Sequence, residues 1–197
     1  MTHQILNRVV MLCLTAVLLT AFVPASLQAQ DELLITIGTT DFPASIDPAS
    51  AVDLPSWELL NHLYTGLTRQ DPGTLDYELA LAADHTISED GLTHTYTLRA
   101  DAAFADGTPI TAAVVADSIN RVVDLGRDGA DFVNRYITSI STGDDNSVVF
   151  TLLSPLPDFD ALVGLPPFFP VHPAVYPLDD LVRQEDATTF ISSGPYQ

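Results

Sequence analysis

The spacing of hydrophobic side chains changes between residues 92 and 123, and this change restricts the possible folds more than any other feature. In residues 92–99, threonines and a final arginine alternate with Leu92, His94, Tyr96 and Leu98. A repeat of two residues predicts a β-strand with one buried face and one solvent-exposed face. Further on, apolar residues recur at helical spacing, at Val114, Val115, Ile119, Val122 and Val123. The chain therefore passes from a half-buried strand to an amphipathic helix.

The junction between that strand and that helix is short. Asp106-Gly107 is a turn dipeptide, and Pro109 restricts the backbone that follows it. Thr111 is placed to cap the helix, and Gly126 is placed to end it. We therefore expect the junction to have a structural role, which is to join the strand to the helix.

Other segments carry weaker signals of regular structure. A β-branched run predicts a buried strand over Leu33–Gly38, and Ser56 is expected to cap a helix that contains Trp57 and Leu60. The remaining predictions are a turn at Pro72-Gly73, a strand on each side of residues 89–91, a strand over Val148–Leu153, a short helix around Phe159–Val163 and a lightly structured connection over residues 127–142. The proline-rich segment Pro155–Pro177 leaves no room for a longer regular element.

The first 29 residues differ in kind from the rest. Arg8 is their only charged residue, and the run Val9–Ala25 is almost wholly apolar. This layout predicts that residues 1–29 are a secretory signal peptide, cleaved after Ala29. An uncleaved membrane anchor is the alternative, although the run is at the short limit for crossing a bilayer. Cys13, the only cysteine, lies inside the run, so we expect no disulfide in the exported chain.

Acidic residues dominate the charge of the chain. There are 26 Asp and Glu residues against seven basic residues, all of them arginine, which gives a net charge of −19. Such a surface repels phosphate backbones and argues against nucleic acid as a partner. We interpret the acidic residues as a solvated surface rather than as a binding site.

No catalytic or metal-binding motif stands out in the sequence. It contains no G-x-S-x-G, H-E-x-x-H, G-x-x-x-x-G-K-[ST] or G-x-G-x-x-G. Four histidines lack the spacing of a metal pair and are interpreted as structural or surface residues: His62, His85, His94 and His172. Asp158 and Asp160 could form a carboxylate pair, but they follow a proline turn and are interpreted as part of a solvated loop. We therefore predict no enzyme activity, no catalytic residues, no metal site and no cofactor.

Several segments, taken in order, resemble one protein family. After the first predicted strand come "IDP", "LYTGL", "ISEDGLTHTYTLR", "FADGTPITA", "DDNSVVFTL" and finally "SSGPYQ". This order resembles the N-terminal part of family 5 solute-binding proteins, the peptide and nickel-type receptors of ABC importers, over about Leu33–Gln197. One departure is visible, because Ala112, Ala113 and Val114 stand where the family usually places an acid after the helix cap.

The resemblance implies an α/β fold of mixed sheets with flanking helices, arranged as two lobes around a cleft. Residues 30–56 and 152–197 would form part of the first lobe, and residues 57–151 its accessory subdomain. The second lobe would be absent, so the sequence is interpreted as an N-terminal fragment of a longer reading frame.

The resemblance also implies a function. A monomeric receptor in the periplasm or otherwise outside the cytoplasm would bind a peptide or similar solute in the cleft and deliver it to ABC permease subunits in the membrane. The loop that begins Thr40, Asp41 and Phe42 best matches a cleft wall, and position alone adds Phe132, Leu165 and Phe168. Two alternatives stay open, the N-terminal part of a secreted hydrolase and a nickel or other metal receptor of the same family.

Overall fold

The computed structural model describes residue 38, residues 40–183, residue 185 and residues 190–194. The chain divides into two compact units, residues 1–38 and residues 39–197, and the fold given below is that of the second unit. The predicted signal peptide and the predicted strand over Leu33–Gly38 lie outside the described residues, apart from Gly38 itself.

Two antiparallel sheets and four helices make up the described part of the chain. The elements, in order, are α1 Leu54–Leu63, β1 Thr68–Gln70, β2 Tyr77–Leu79, β3 Ala82–Ile87, β4 Thr93–Leu98, α2 Ala112–Leu125, α3 Asp128–Asn134, β5 Ile137–Thr142, β6 Ser147–Leu152, α4 Phe159–Val163 and the 3-10 turn Pro166–Phe168. β1 pairs with β2, and the larger sheet has the order β3-β4-β6-β5. This confirms the expected α/β class. Among the described residues, no helix is both long enough and apolar enough to cross a membrane.

The larger sheet has the predicted buried face. On β4 and β6, Tyr96 pairs with Val148 and His94 pairs with Phe150, and all four side chains are buried. α2 packs on β5 and β6, while the ring of Phe159 in α4 lies against Tyr96 and Phe150. The threonines of β4 point to the other face, so the alternation in the sequence was a correct guide to burial.

The junction before α2 also forms as predicted. Gly107 adopts a left-handed backbone with φ of 87°, and Thr111 caps α2 by accepting a hydrogen bond from the Val114 amide. α2 ends at Gly126, which is again left-handed. The Ala112 amide donates to the side chain of Asn146 at 2.8 Å. A distant turn thus satisfies a helix-start amide in the very region where the family's usual acid is missing.

The predicted start of α1 was wrong by three residues. The cap is Asp53, not Ser56, and the helix begins at Leu54. Pro55 occupies the first turn, where its missing amide hydrogen costs nothing and its fixed φ suits a helix. Ser56 instead lies inside the first turn, where its hydroxyl is available for other contacts.

The connection over residues 127–142 is more regular than predicted. It contains α3 and the edge strand β5. α3 buries only small or single apolar residues, Gly129, Ala130 and Val133, and β5 fully buries only Ile137. Neither element therefore produces a strong hydrophobic repeat in the sequence.

A second, smaller hydrophobic cluster lies beneath α1. It joins the helix to the segment that follows the 3-10 turn, through Leu60, Tyr64, Phe169, Val171 and Tyr176. The hydroxyl groups of Tyr64 and Tyr176 are hydrogen-bonded at 2.9 Å. α1 is therefore anchored to a part of the chain more than a hundred residues away.

Candidate functional site

The loop after residue 39 lies against the beginning of α1. The Ser45 amide donates to the Ser56 hydroxyl oxygen at 3.0 Å. Ser56 in turn donates from its amide and its hydroxyl to the two carboxylate oxygens of Asp53, at 2.9 and 2.5 Å. Although burial opposes it, these hydrogen bonds hold the pKa of Asp53 below its ordinary value. The Asp53 cap therefore stays charged at neutral pH and keeps the loop and the helix together.

Two aromatic rings extend this surface from α1 to α3. The Trp57 indole donates to the Ala51 carbonyl at 2.7 Å, and its ring meets Phe132 edge to face, with 5.4 Å between ring centroids. Both side chains are half-buried. α3 can approach the backbone around Ala49 because Gly129 has no side chain. A Cβ at Gly129 would lie only 2.7 Å from the Ala49 carbonyl oxygen. We call residues 40–45, residues 51–57 and Phe132 the α1 wall.

The α1 wall presents apolar side chains to solvent. Phe42 is 93% exposed, and Val52 and Leu54 are also exposed. Exposed apolar groups that cluster on a soluble domain often mark a binding surface. Thr40 and Asp41 begin the same loop and are exposed as well. Of the predicted site residues, Phe132 contacts Trp57 of α1, whereas Thr40, Asp41 and Phe42 lie in the exposed loop that leads to Ser45.

The other two predicted site residues belong to the larger hydrophobic core or pack against it. Phe168 is fully buried in the larger hydrophobic core, and Leu165 is half-buried against the same core. The 3-10 turn that contains Phe168 packs against both α1 and α3. Phe168 thus supports the two helices that carry Trp57 and Phe132, and a direct ligand contact for Leu165 or Phe168 stays a prediction.

A polar cluster that the sequence did not reveal lies between α4 and the β3-β4 hairpin. The Tyr96 hydroxyl donates to the Asp160 carboxylate at 2.6 Å. The same oxygen lies 3.1 Å from Nδ1 of His85, and Nε2 of His85 lies 3.0 Å from Nδ1 of His94. Asp160 is therefore paired and only 40% exposed at its side chain, which corrects its interpretation as part of a solvated loop.

For neutral histidines, the contacts of this cluster fix which ring nitrogens carry a hydrogen. Because the Asp160 carboxylate accepts from Nδ1 of His85, Nε2 of a neutral His85 must accept from Nδ1 of His94. Nε2 of His94 is buried and makes no hydrogen bond. The spacing of His85 and His94 across a predicted hairpin was the one sequence signal for this cluster. Nothing in the sequence linked Asp160 to the two histidines. In the described part of the chain, no three histidine, cysteine or acidic side chains are placed to hold a metal ion together.

The cluster should make folding sensitive to acid. Burial, and then the neighbouring His85, lower the pKa of His94 below its ordinary value of 6.5. Hydrogen bonds from His85 and Tyr96 outweigh burial and lower the pKa of Asp160. Both groups bind protons more readily in the unfolded chain, so the stability that they contribute is fully present above pH 6.5. The contribution of His94 falls as the pH drops below 6.5, and that of Asp160 falls only below 3.8.

We expect His94→Phe to flatten part of this decline. Phenylalanine keeps an aromatic ring beside Phe150 and Phe159 and cannot take up a proton. One proton changes the free energy of unfolding by at most about 1.4 kcal/mol per pH unit. Urea titrations at pH 7, 6 and 5 should show a shallower pH slope for the variant, and equal slopes for the variant and the wild type would contradict this account.

The sequence matches one protein family over most of its length. Residues 76–197 match the profile described as "Bacterial extracellular solute-binding proteins, family 5 Middle". This range contains the larger sheet, α2, α3 and α4. It agrees with the resemblance seen in the sequence segments.

Individual relatives agree with the family match. The chain is 33% identical to a probable D,D-dipeptide-binding periplasmic protein of Escherichia coli over 150 residues, which is 74% of this chain and 29% of that protein. A periplasmic oligopeptide-binding protein of Borrelia burgdorferi superposes with a TM-score of 0.70 and 26% identity, over 81% of this chain and 35% of that one. The murein tripeptide-binding protein of Escherichia coli superposes with a TM-score of 0.62 and 30% identity, over 69% and 30%.

In each case the chain spans about a third of the length of its relative. The sequence profile covers more than half of the chain, and the superposed structures share its mixed α/β fold. The chain therefore belongs to family 5 of the bacterial extracellular solute-binding proteins.

Proposed function

We propose that the chain is part of the substrate-binding component of an ABC importer. It binds a peptide or similar small solute outside the cytoplasm and delivers it to permease subunits in the membrane, without catalysis of its own. The observation that carries this proposal is the family match over residues 76–197. The relatives reported above are named for dipeptides, oligopeptides and a tripeptide, which favours a peptide over a metal ion as the solute.

The α1 wall is the proposed ligand surface. Phe42, Trp57 and Phe132 offer apolar and aromatic contacts, and the irregular loop over residues 40–45 can present main-chain groups to an extended peptide. Thr40 and Asp41 add polar groups at the start of that loop. Leu165 and Phe168 complete the proposed site, with Phe168 acting from beneath.

The proposed lobe organisation follows the same family pattern. Residues 30–56 and 152–197 form part of the first lobe, residues 57–151 form an accessory subdomain, and residues 1–29 are a signal peptide that directs a monomer to the periplasm. The Tyr176 hydroxyl donates to the Ile46 carbonyl at 3.2 Å, which supports grouping the two first-lobe segments. The packing of α1 against Phe169 and Tyr176 favours moving the boundary to the end of that helix.

Fluorescence of Trp57, the only tryptophan, tests the proposed function. We expect D-alanyl-D-alanine, trialanine or glutathione to change its emission in a saturable way, since the indole lies in the α1 wall. Phe42→Ala should weaken that binding about tenfold, a typical effect of removing an aromatic contact. Leu75→Ala is the control, because Leu75 is also a highly exposed apolar residue, at 86%, and lies on the β1-β2 turn. Equal affinities of both variants and the wild type would contradict the assignment of the site.

A further inference from the structure

Arg121 and Asp47 form a fully buried ion pair. Arg121 lies on α2 and Asp47 in the segment before α1, 74 residues apart, and their side chains are 1% and 0% exposed. Nη1 and Nη2 of the guanidinium donate to the two carboxylate oxygens at 2.9 and 2.7 Å. This two-pronged geometry is the strongest form of such a pair. Apolar side chains of similar volume would fill the same space without the cost of burying charge, so the pair calls for another explanation.

On one side, the pair holds the segment over residues 176–182. Arg121 donates to the carbonyl oxygens of Pro177 and Asp180 at 2.5 and 2.6 Å. The Asp47 carboxylate accepts from the Val182 amide at 2.8 Å, and the guanidinium lies over the Tyr176 ring. Three main-chain groups of this segment therefore depend on the two charged side chains.

On the other side, Asp47 builds the turn over residues 47–51. Its carboxylate accepts from the Ala49 amide at 3.0 Å, and its carbonyl accepts from the amides of Ser50 and Ala51 at 3.0 and 2.9 Å. Side chains of this type stabilise turns by bonding to the backbone two residues on. The ion pair fixes the Asp47 side chain, so it also fixes the direction in which this turn leaves the core.

The turn over residues 47–51 is hydrogen-bonded to each of the three parts of the α1 wall or to their immediate neighbours. The Ala51 carbonyl accepts from the Trp57 indole, and the Ala49 carbonyl accepts from the Gly129 amide at 2.9 Å, at the start of the helix that carries Phe132. The hydroxyl of Ser45, the last residue of the loop over residues 40–45, accepts from the Asp47 amide at 3.0 Å. All three parts of the α1 wall are thus within a few bonds of Asp47.

We propose that Asp47 and Arg121 are positioning residues for the α1 wall, an inference that rests on the proposed function. The pair acts through the turn over residues 47–51 and holds Trp57, Phe132 and the loop over residues 40–45 in their binding arrangement before a ligand arrives. A surface that is already ordered loses less entropy on binding. An apolar pair could fill the cavity, but it could not bond the main-chain groups that give the turn its shape.

The double variant Asp47→Leu/Arg121→Met tests the proposal, because it keeps the buried volume and leaves no unpaired charge. We expect amide exchange at Ala49 and Ala51 to quicken at least about tenfold relative to the core amides of β4, and acrylamide to reach Trp57 more readily. Arg121→Lys is the milder variant, since it keeps a positive charge opposite Asp47 and leaves the carboxylate free to accept from the Ala49 amide, but it loses the two-pronged geometry. It should give smaller changes in both measurements and remain folded if the double variant does not.

Val148→Ala is the matched control, since it removes buried volume from β6 without touching the turn. It should speed global unfolding but leave Trp57 quenching and the relative exchange of Ala49 and Ala51 unchanged. Among variants that stay folded, affinity for trialanine should fall about tenfold in the double variant and less in the control.

Two results would count against the proposal in different ways. If the double variant and Arg121→Lys, whichever of them stay folded, keep wild-type Trp57 quenching and wild-type amide exchange at Ala49 and Ala51, the pair is only structural and the inference is overturned. If these ligand-free measurements change as expected while the wild type binds none of the three peptide probes, the positioning of the α1 wall stands and the proposed function fails.

Discussion

Replacing Phe168 by alanine is expected to lower the free energy of unfolding by about 3–5 kcal/mol. The Phe168 side chain has no solvent exposure and lies in the larger core, on the 3-10 turn between α1 and α3. Its removal loses the buried apolar surface and leaves a cavity that the proline-rich backbone around it cannot readily close. Urea unfolding followed by circular dichroism measures the effect.

Phe42→Ala is the matched control for that prediction, because it makes the same chemical change at a 93% exposed position. Its free energy of unfolding should stay within about 0.5 kcal/mol of the wild type. The two substitutions therefore distinguish a structural residue from a ligand-contacting residue. Phe168→Ala should lower stability, and Phe42→Ala should lower ligand affinity. A stable Phe168→Ala with weakened peptide binding would reverse the assignment and make Phe168 a contact residue.

Arg121→Ala should be about equally damaging, with a loss of about 3–5 kcal/mol in the free energy of unfolding. The variant leaves the Asp47 carboxylate buried with its charge unpaired. It also leaves the carbonyl oxygens of Pro177 and Asp180 without their donors. Desolvated polar groups without partners are the costliest outcome of a single substitution.

Arg69→Ala is the control for the ion pair. Arg69 lies 2.6 Å from Glu78 across the β1-β2 hairpin, but the two side chains are 66% and 48% exposed. Water already solvates both charges there, so the loss should not exceed about 1 kcal/mol. Equal losses for Arg69→Ala and Arg121→Ala in the same urea titration would show that burial does not set the strength of these pairs.

The elements that the sequence predicted well are those with a strong local repeat. β4 alternates over six residues, and α2 carries a threonine cap, a continuous apolar stripe and a terminal glycine. Each signal comes from side chains within one or two turns of the backbone they affect. α3 and β5 lacked such signals because α3 buries small residues and β5 is an edge strand with one fully buried side chain.

The start of α1 shows how two local signals can compete. Asp53 and Ser56 are both good capping residues, and the sequence favours neither by composition alone. The structure chooses Asp53, which places Pro55 in the first turn and leaves the Ser56 hydroxyl oxygen to accept from the Ser45 amide. A hydrogen bond inside the α1 wall, between Ser45 and Ser56, therefore accompanies this choice of helix start.

The amino-acid order by itself determined β4 and α2, the tight junction between them and the resemblance to a solute-binding family, because those features depend on neighbours along the chain. Only the tertiary structure decided that Asp47 meets Arg121, that Asp160 meets His85, and that Phe42 is exposed while Phe168 is buried. Such pairs join residues far apart in sequence, and their side chains carry the same chemistry whether they face water or the core. Burial and partnership are properties of the packed molecule, since they arise only when distant segments exclude water together.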